Sequence, residues 1–382
     1  MWEVERVIDA DGHVMEPLWL WRDYLDPAFR DRGLRVLRDA NDGDKLLIDG
    51  APSRLIRRLG GVVPREGQKI PDWNHLPCRP HFASYEESCT VASWQGPARL
   101  EWLDKSGIDA TFLFPSLGLI WPREADPVSP YAVAHFDAYN RWVRDMAADS
   151  TGRLIPVAQI AHTDSVSADL THLAEVGFRH VMLPMGVGQS LRGVDAFFAA
   201  AQDFEFVVHL HKVAIPHLLP TASPTDLRTA GAGAFYNHVN EVLPGQLLLA
   251  ALLDDRVLDR FPRLRFAFHE CGAGWLPAWL DRARESWETL RSNRSSDLPE
   301  HPPSDYFTDA DRIFFSVGLG EDLAATPGWL RRRSMLATDY PHPGTPACPA
   351  SSWTRPLRPL PISDANAVAA GNAARLISAK GG

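Results

Sequence analysis

The chain has 382 residues, 45% of them hydrophobic and 23% charged, with a formal net charge of −9. That is enough apolar material for one large core or two smaller ones. The acidic balance excludes a general nucleic-acid binder, which carries a basic patch, but leaves small-molecule substrates open.

Taken in order, the chain alternates short apolar runs with longer amphipathic segments. The opening MWEVERVIDADGH lacks a basic region followed by an apolar one, so no signal peptide is expected there. Val7-Ile8 starts a first strand that leads into Asp9, Asp11 and His13. Further strands are expected at Ile108–Pro115, Leu154–Ile160, Phe178–Pro184, Phe204–Leu210, Leu264–His269, Ile313–Val317 and Ser334–Thr338. Such partly β-branched apolar runs suit buried parallel strands. Between them the pattern predicts helices over Pro97–Ser106, Tyr131–Ala148, Ser165–Glu175, Val194–Ala201 and Glu241–Phe261. Others are expected over Trp275–Ser292, Leu323–Arg333 and Asp364–Ser378. Asp164 and Ser363 are expected N-caps, and Gly107 and Gly177 expected left-handed C-caps.

Eight βα alternations favour a single-domain (β/α)₈ TIM barrel, which needs about 250 residues, although an open doubly wound sheet uses the same local pattern. Residues 30–96 break the rhythm. NDGDKLLIDG reads as a hairpin with its turn at Asn41–Gly43, and a Gly-, Pro- and charge-rich stretch follows. This insertion after the first strand is either a cap over a catalytic face or a solvated decoration. Long loops are also expected at 211–232 and 340–362. The cysteines, Cys78, Cys89, Cys271 and Cys348, form no CxxC pair, as expected of a reduced cytoplasmic protein. No apolar run reaches the roughly 20 residues of a membrane span, so no membrane partner is expected.

Polar residues collect at the C-terminal ends of these strands. Asp11 and His13 sit at the first, His209 at the fifth, His269 and Glu270 at the sixth, and Asp339 at the eighth. In a barrel those ends share one mouth. Two residues apart on a strand, Asp11 and His13 face the same way. With His209 and Asp339 they form a mixed N/O donor set suited to Zn²⁺, Mn²⁺ or Fe²⁺ rather than Ca²⁺. Each piece has a plainer reading: a satisfied buried histidine, or an aspartate opening a turn. Glu16 either caps the next helix or orients a ligand.

The chain resembles the amidohydrolase superfamily, specifically the family-2 group that includes aminocarboxymuconate-semialdehyde decarboxylase. The resemblance runs almost end to end. It rests on IDADGHVMEP, RLEWLDKSGIDATFLFPSLGL, AYNRWVRDM, RLIPVAQI, GFRHVMLP, VVHLHK, FPRLRFAFHECGAGWLPAWLDR, ATDYPHP and GNAARLI. It implies metal ligation by Asp11, His13, His209 and Asp339, with His211 an alternate to His209. Asp11 replaces the histidine common at that place, and carboxylates favour harder ions. It implies catalysis by His269, with Glu270 and Asp339 as further acid/base candidates, and a substrate or supporting role for His238.

The function so implied is metal-assisted decarboxylation of a small aromatic or unsaturated carboxylic acid, with Zn²⁺ as the leading metal. His269 or Asp339 would pass a proton to the carbon that loses CO₂. The alternatives are hydrolysis of an amide, ester, lactone or C–C bond, and a non-catalytic binding protein. The resemblance also implies a homodimer. Trp19, Trp73, Trp94, Trp121 and Trp275 are candidate pocket aromatics, and Arg79, Arg123 and Arg192 candidate carboxylate clamps.

Overall fold

The computed structural model describes residues 4–38, 44–54, 84–88, 90–184, 191, 193–212, 239–240, 242–293, 298–308, 311–342 and 354–378. The chain divides into two compact units, Met1–Thr163 with Leu336–Arg358, and Asp164–Met335 with Pro359–Gly382.

In the first unit, β1 (Ile8–His13), β5 (Ala110–Phe114) and β6 (Leu154–Pro156) form a parallel sheet in the order β1-β5-β6. Every residue of β1 and β5 is buried, which explains their continuous apolar character. Helix Gly96–Ser106 connects the two strands' neighbourhoods and ends on Gly107 at φ +65°, the expected left-handed cap. Helix Pro130–Ala147 is capped by Ser129, whose hydroxyl accepts from the Ala132 amide at 3.2 Å. A short strand β7 (Ala158–Gln159) follows β6.

The insertion contributes an antiparallel sheet, β2 (Arg35–Leu37), β3 (Lys45–Ile48) and β4 (Ala51–Pro52). Arg35 pairs with Leu47 and Leu37 with Lys45, as a hairpin requires, while its expected turn at Asn41–Gly43 lies outside the described residues. Asp49 and Gly50, both at positive φ, turn β3 into β4.

In the second unit the strand order is β12-β11-β10-β9-β8, with β8 His180–Pro184, β9 Val207–His211, β10 Arg265–His269, β11 Ile313–Val317 and β12 Ser334–Leu336. The β8–β9, β9–β10 and β10–β11 pairs are parallel. Helices Val166–Glu175, Asp195–Asp203, Leu243–Asp254 and Leu276–Ser292 accompany them. No described helix is long and apolar enough to cross a membrane.

Several expectations are corrected. The helix expected over Leu323–Arg333 shrinks to Gly328–Arg331, because Pro327 is extended and acts as its N-cap. The segment expected as one helix over Glu241–Phe261 breaks at Arg256, whose φ is +53°. The last helix starts at Ile362 behind Pro361, and Ser165 stands at the start of the third, so neither Ser363 nor Asp164 is a cap. The fifth strand begins later than expected. Phe204 and Glu205, the latter at φ +58°, form a turn after helix Asp195–Asp203, so the strand starts at Val207; it runs on to His211, which pairs with His269.

Candidate metal centre

β1 carries Asp11 and His13 through an irregular register between Asp9 and Gly12. Gly12 has no substitute there, since a Cβ would stand 2.3 Å from Thr111 Oγ1. The buried Asp9 carboxylate ties the strand down. It accepts from Thr111 Oγ1 at 2.8 Å, the Thr338 amide at 2.9 Å, Thr338 Oγ1 at 2.8 Å and the Asp11 amide at 3.2 Å. Burial pushes its pKa up against those donors. The segment after β12 is thereby laid beside β1. The Asp339 amide donates to Asp11 O at 2.8 Å and the His13 amide to Tyr340 O at 2.6 Å. Asp339 itself sits at φ +57°, a strained conformation that aspartate tolerates better than most residues.

A buried arginine backs this arrangement. Arg99 donates through Nε to Ala92 O at 2.8 Å and through Nη2 to His13 O, and its guanidinium lies 4.6 Å from the Tyr340 ring centroid. Tyr340 also stacks on Trp102 at 3.8 Å.

The His13 ring decides what the cluster can hold. Its Nδ1 lies 2.9 Å from Pro115 O. A carbonyl only accepts, so Nδ1 bears the proton and Nε2 of the neutral ring presents a lone pair. That Nε2 is 3.5 Å from Asp11 Oδ1 and 3.4 Å from Asp339 Oδ1. These separations exceed a charge-assisted hydrogen bond. They match two donors each about 2.1 Å from a tetrahedral ion, which stand about 3.4 Å apart. With the ring neutral, one imidazole nitrogen and two carboxylate oxygens at these separations fit a divalent cation. One donor atom each of His13, Asp339 and His342 also lie within 4.8 Å of one another.

Glu16 neither caps the helix that follows nor reaches the cluster directly. Its buried carboxylate accepts the amides of Ser116 (3.1 Å), Leu117 (2.9 Å) and Gly118 (2.8 Å). Desolvation raises its pKa, with these amides opposing.

In the second unit the histidines are wired differently. His209 Nε2 is 3.0 Å from His180 Nδ1, and His209 Nδ1 is 2.9 Å from His269 Nε2, so both ring nitrogens of His209 are engaged by histidines. Burial, helped by Arg265, Arg179 and His269, brings the His180 pKa down to about 3 and keeps that ring neutral. His211, the last residue of β9, has Nδ1 2.7 Å from Lys212 O. Its proton therefore sits on Nδ1, the same tautomer as His13. Its ring stacks on His269 at 5.8 Å and 9°. Glu270, at φ +51°, pairs with Lys212 at 3.4 Å, and its amide donates to Ser316 Oγ at 3.2 Å.

Thus the first unit brings Asp11, His13 and Asp339 together, and the second joins His209 to His269. His238, Arg79, Arg192 and Trp73 lie outside the described residues, as do Cys78, Cys89 and Cys348. Cys271 is buried. Trp121 is fully buried against Tyr131, His135 and Phe136, a core position instead of a pocket wall. Trp275 donates to Cys271 O at 2.9 Å. Sequence reasoning missed His180, Ser116 and His342. Only His342 had a usable signal, the Asp-Tyr-Pro-His spacing that a turn closes.

An α/β protein with a candidate divalent-metal site is what these donors and parallel strands define. A family model described as Amidohydrolase matches residues 90–378, and the chain belongs to that family. Among solved structures it is similar to an amidohydrolase from Mycobacterium avium subsp. paratuberculosis K-10, at 18% identity over 98% of this chain and 99% of that one, with TM-score 0.73. It is similar to a 5-carboxyvanillate decarboxylase from Novosphingobium aromaticivorans complexed with manganese and 4-hydroxy-3-methoxy-5-nitrobenzoic acid, at 18% identity over 76% and 81% with TM-score 0.60. It is also similar to 2,6-dihydroxybenzoate decarboxylase from Rhizobium, at 16% identity over 97% and 98% with TM-score 0.57. No curated protein sequence matches the chain. The fold class is accordingly the TIM barrel of the amidohydrolases, with a small antiparallel insert after the first strand.

Proposed function

We propose that this chain is a metal-dependent carbon–carbon lyase that decarboxylates a small aromatic or unsaturated carboxylic acid. The observation that carries the metal is the His13 lone pair facing two carboxylate oxygens at 3.4 and 3.5 Å. The decarboxylase names of two of the similar structures support the reaction. The proposed ligands are Asp11, His13 and Asp339, with a β9 histidine as the further donor. The sequence expectation there is His209; the tautomer of His211 and the engagement of both His209 nitrogens favour His211. Zn²⁺ is the sequence expectation. Two carboxylates in the set, and the manganese of a similar structure, support Mn²⁺.

When bound, a divalent ion supplies charge that orients a substrate carboxylate or neighbouring oxygen and draws electron density from it. The protein's own part is proton delivery. His269 is fully buried and hydrogen-bonded to His209, and it hands a proton to the carbon that loses CO₂. Glu270 is the weaker candidate, because its carboxylate is paired with Lys212. One domain, a homodimer and a cytoplasmic setting remain part of this reading on the sequence alone.

The family description favours a second reading, hydrolysis with the same donors. Screening aromatic and enal carboxylic acids in ¹⁸O-water separates the two. Decarboxylation gives CO₂ and an unlabelled product; label in the product without CO₂ sinks the lyase reading.

A further inference from the structure

Asp339 offers its Oδ1 to two histidines at different distances. His13 Nε2 stands at 3.4 Å, a spacing suited to an ion between them, whereas His342 Nδ1 stands at 2.8 Å, a hydrogen bond. The other nitrogen of His342, Nε2, is 2.8 Å from Ser116 Oγ, and that hydroxyl is also 2.7 Å from Val14 O. The serine is itself fixed by its backbone. Ser116 begins the turn whose successive amides, Ser116, Leu117 and Gly118, all point at the buried Glu16 carboxylate. Gly118 leaves no slack there, since a Cβ would meet Gln159 Oε1 at 2.5 Å, and Gln159 donates to Gly118 O at 2.9 Å. Hydrogen-bonded groups therefore run without a gap from Glu16 through Ser116 and His342 to Asp339.

The order of atoms, Ser Oγ to His Nε2 and His Nδ1 to Asp carboxylate, is that of a serine hydrolase triad. A nucleophilic serine also needs amides aimed at the developing oxyanion. Here the amides beside the serine are spent on Glu16, and Ser116 is buried, 7% exposed. The same wiring suits a different task. A carboxylate that ligates a metal has to keep one oxygen aimed at the ion, and partners of metal ligands do this by hydrogen bonding. Asp339 needs such help more than most, because its backbone is at φ +57° and its side chain is 35% exposed.

We propose that His342, held in place by Ser116 on the Glu16-bound turn, is the positioning residue that fixes the Asp339 carboxylate for metal binding. This rests on the ligand role proposed for Asp339. His342 and Ser116 touch neither ion nor substrate in this account. The His13 and His342 rings lie against each other, 4.0 Å apart and tilted by 33°, and each turns a nitrogen toward Asp339 Oδ1.

The test measures Mn²⁺ affinity of the full-length chain by chelator competition, alongside the melting midpoint of the metal-free chain. His342→Leu removes the donor, and His342→Asn keeps an N–H near the Nδ1 position. Ser116→Ala removes the hydroxyl, and Ser116→Thr keeps it. The expected result is Mn²⁺ binding weakened about 10- to 100-fold in His342→Leu, largely restored in His342→Asn, with Ser116→Ala shifted the same way by less and Ser116→Thr close to wild type. The metal-free melting midpoints should not follow this order. Should His342→Leu fail to fold, the two Ser116 variants carry the same comparison. Wild-type affinity throughout the variants overturns the inference and leaves the metal reading intact. Loss of Mn²⁺ binding in His342→Asn as complete as in His342→Leu makes His342 a ligand and overturns it too. So does a fluorophosphonate adduct on Ser116, which would make the serine a nucleophile. A wild-type chain that takes up no Mn²⁺ overturns both this inference and the function proposed above.

Discussion

The two units use buried histidines in opposite ways. In the first, His13 gives its Nδ1 proton to Pro115 O, and its Nε2 lone pair faces carboxylate oxygens. In the second, His209 spends both nitrogens on His180 and His269, forming a row of imidazoles bonded to each other. Residue type and burial are the same in both cases. What differs is the partner of one ring nitrogen: a backbone carbonyl leaves the other nitrogen ready for a metal, while histidines on both sides do not. On this criterion His211, whose Nδ1 faces Lys212 O, belongs with His13.

The comparison can be broken most severely at the carboxylates. Asp11→Asn keeps the shape of the side chain but lowers its value as an anionic donor. It should take metal-dependent turnover to background; activity within a few-fold of wild type would remove Asp11 from the donor set. Next in size is His269→Ala. Turnover should fall by about 10²- to 10⁴-fold while elemental analysis finds metal near the wild-type level, and metal lost in step with activity would make His269 a ligand. His209→Gln against His211→Gln sharpens the contrast itself. The account expects metal to be depleted in His211→Gln and largely kept in His209→Gln, and the reverse pattern would return the ligand role to His209.

A smaller effect concerns buried histidines away from the cluster. His135 accepts the Leu34 amide at Nε2 (3.3 Å) and faces Tyr131 O through Nδ1 (2.7 Å), and burial brings its pKa down to about 4. His162 is likewise lowered to about 4 by burial. An unfolded imidazole titrates near 6.5. Between those values the unfolded chain binds protons that the folded chain refuses, so stability is full above about pH 6.5 and is lost as pH falls toward 4. His135→Gln should flatten the decline of Tm with acid, and an unchanged slope would count against it. Smallest is Ser129→Ala, which removes the cap of helix Pro130–Ala147 and should cost about 1 kcal/mol in denaturant unfolding. No measurable cost would mean that Pro130 and packing alone start that helix.

The strands were legible because their burial is complete: runs such as ATFLF and IFFSV have nowhere to go but a core. The donors at the strand ends were legible for the same reason, as polar residues interrupting apolar runs. The boundary at β9 was not. FEFVVHLH reads as one apolar stretch, and nothing local shows that Glu205 turns through positive φ before the strand or that pairing with His269 carries the strand on to His211. Pro327 was a breaker in plain view inside the segment expected to be helical. The Glu16–Ser116–His342 connection joins positions about a hundred and more than two hundred residues apart, and periodicity carries no information at that separation.

The central claim is that the lone pairs of Asp11, His13 and Asp339 converge because a divalent ion belongs among them. Elemental analysis of the wild-type chain and His13→Ala, purified side by side under metal-replete conditions, tests it most directly. The account predicts stoichiometric Zn²⁺ or Mn²⁺ in the wild type and none in the variant with its fold intact by circular dichroism. Equal metal content in the two, or none in either, would contradict it.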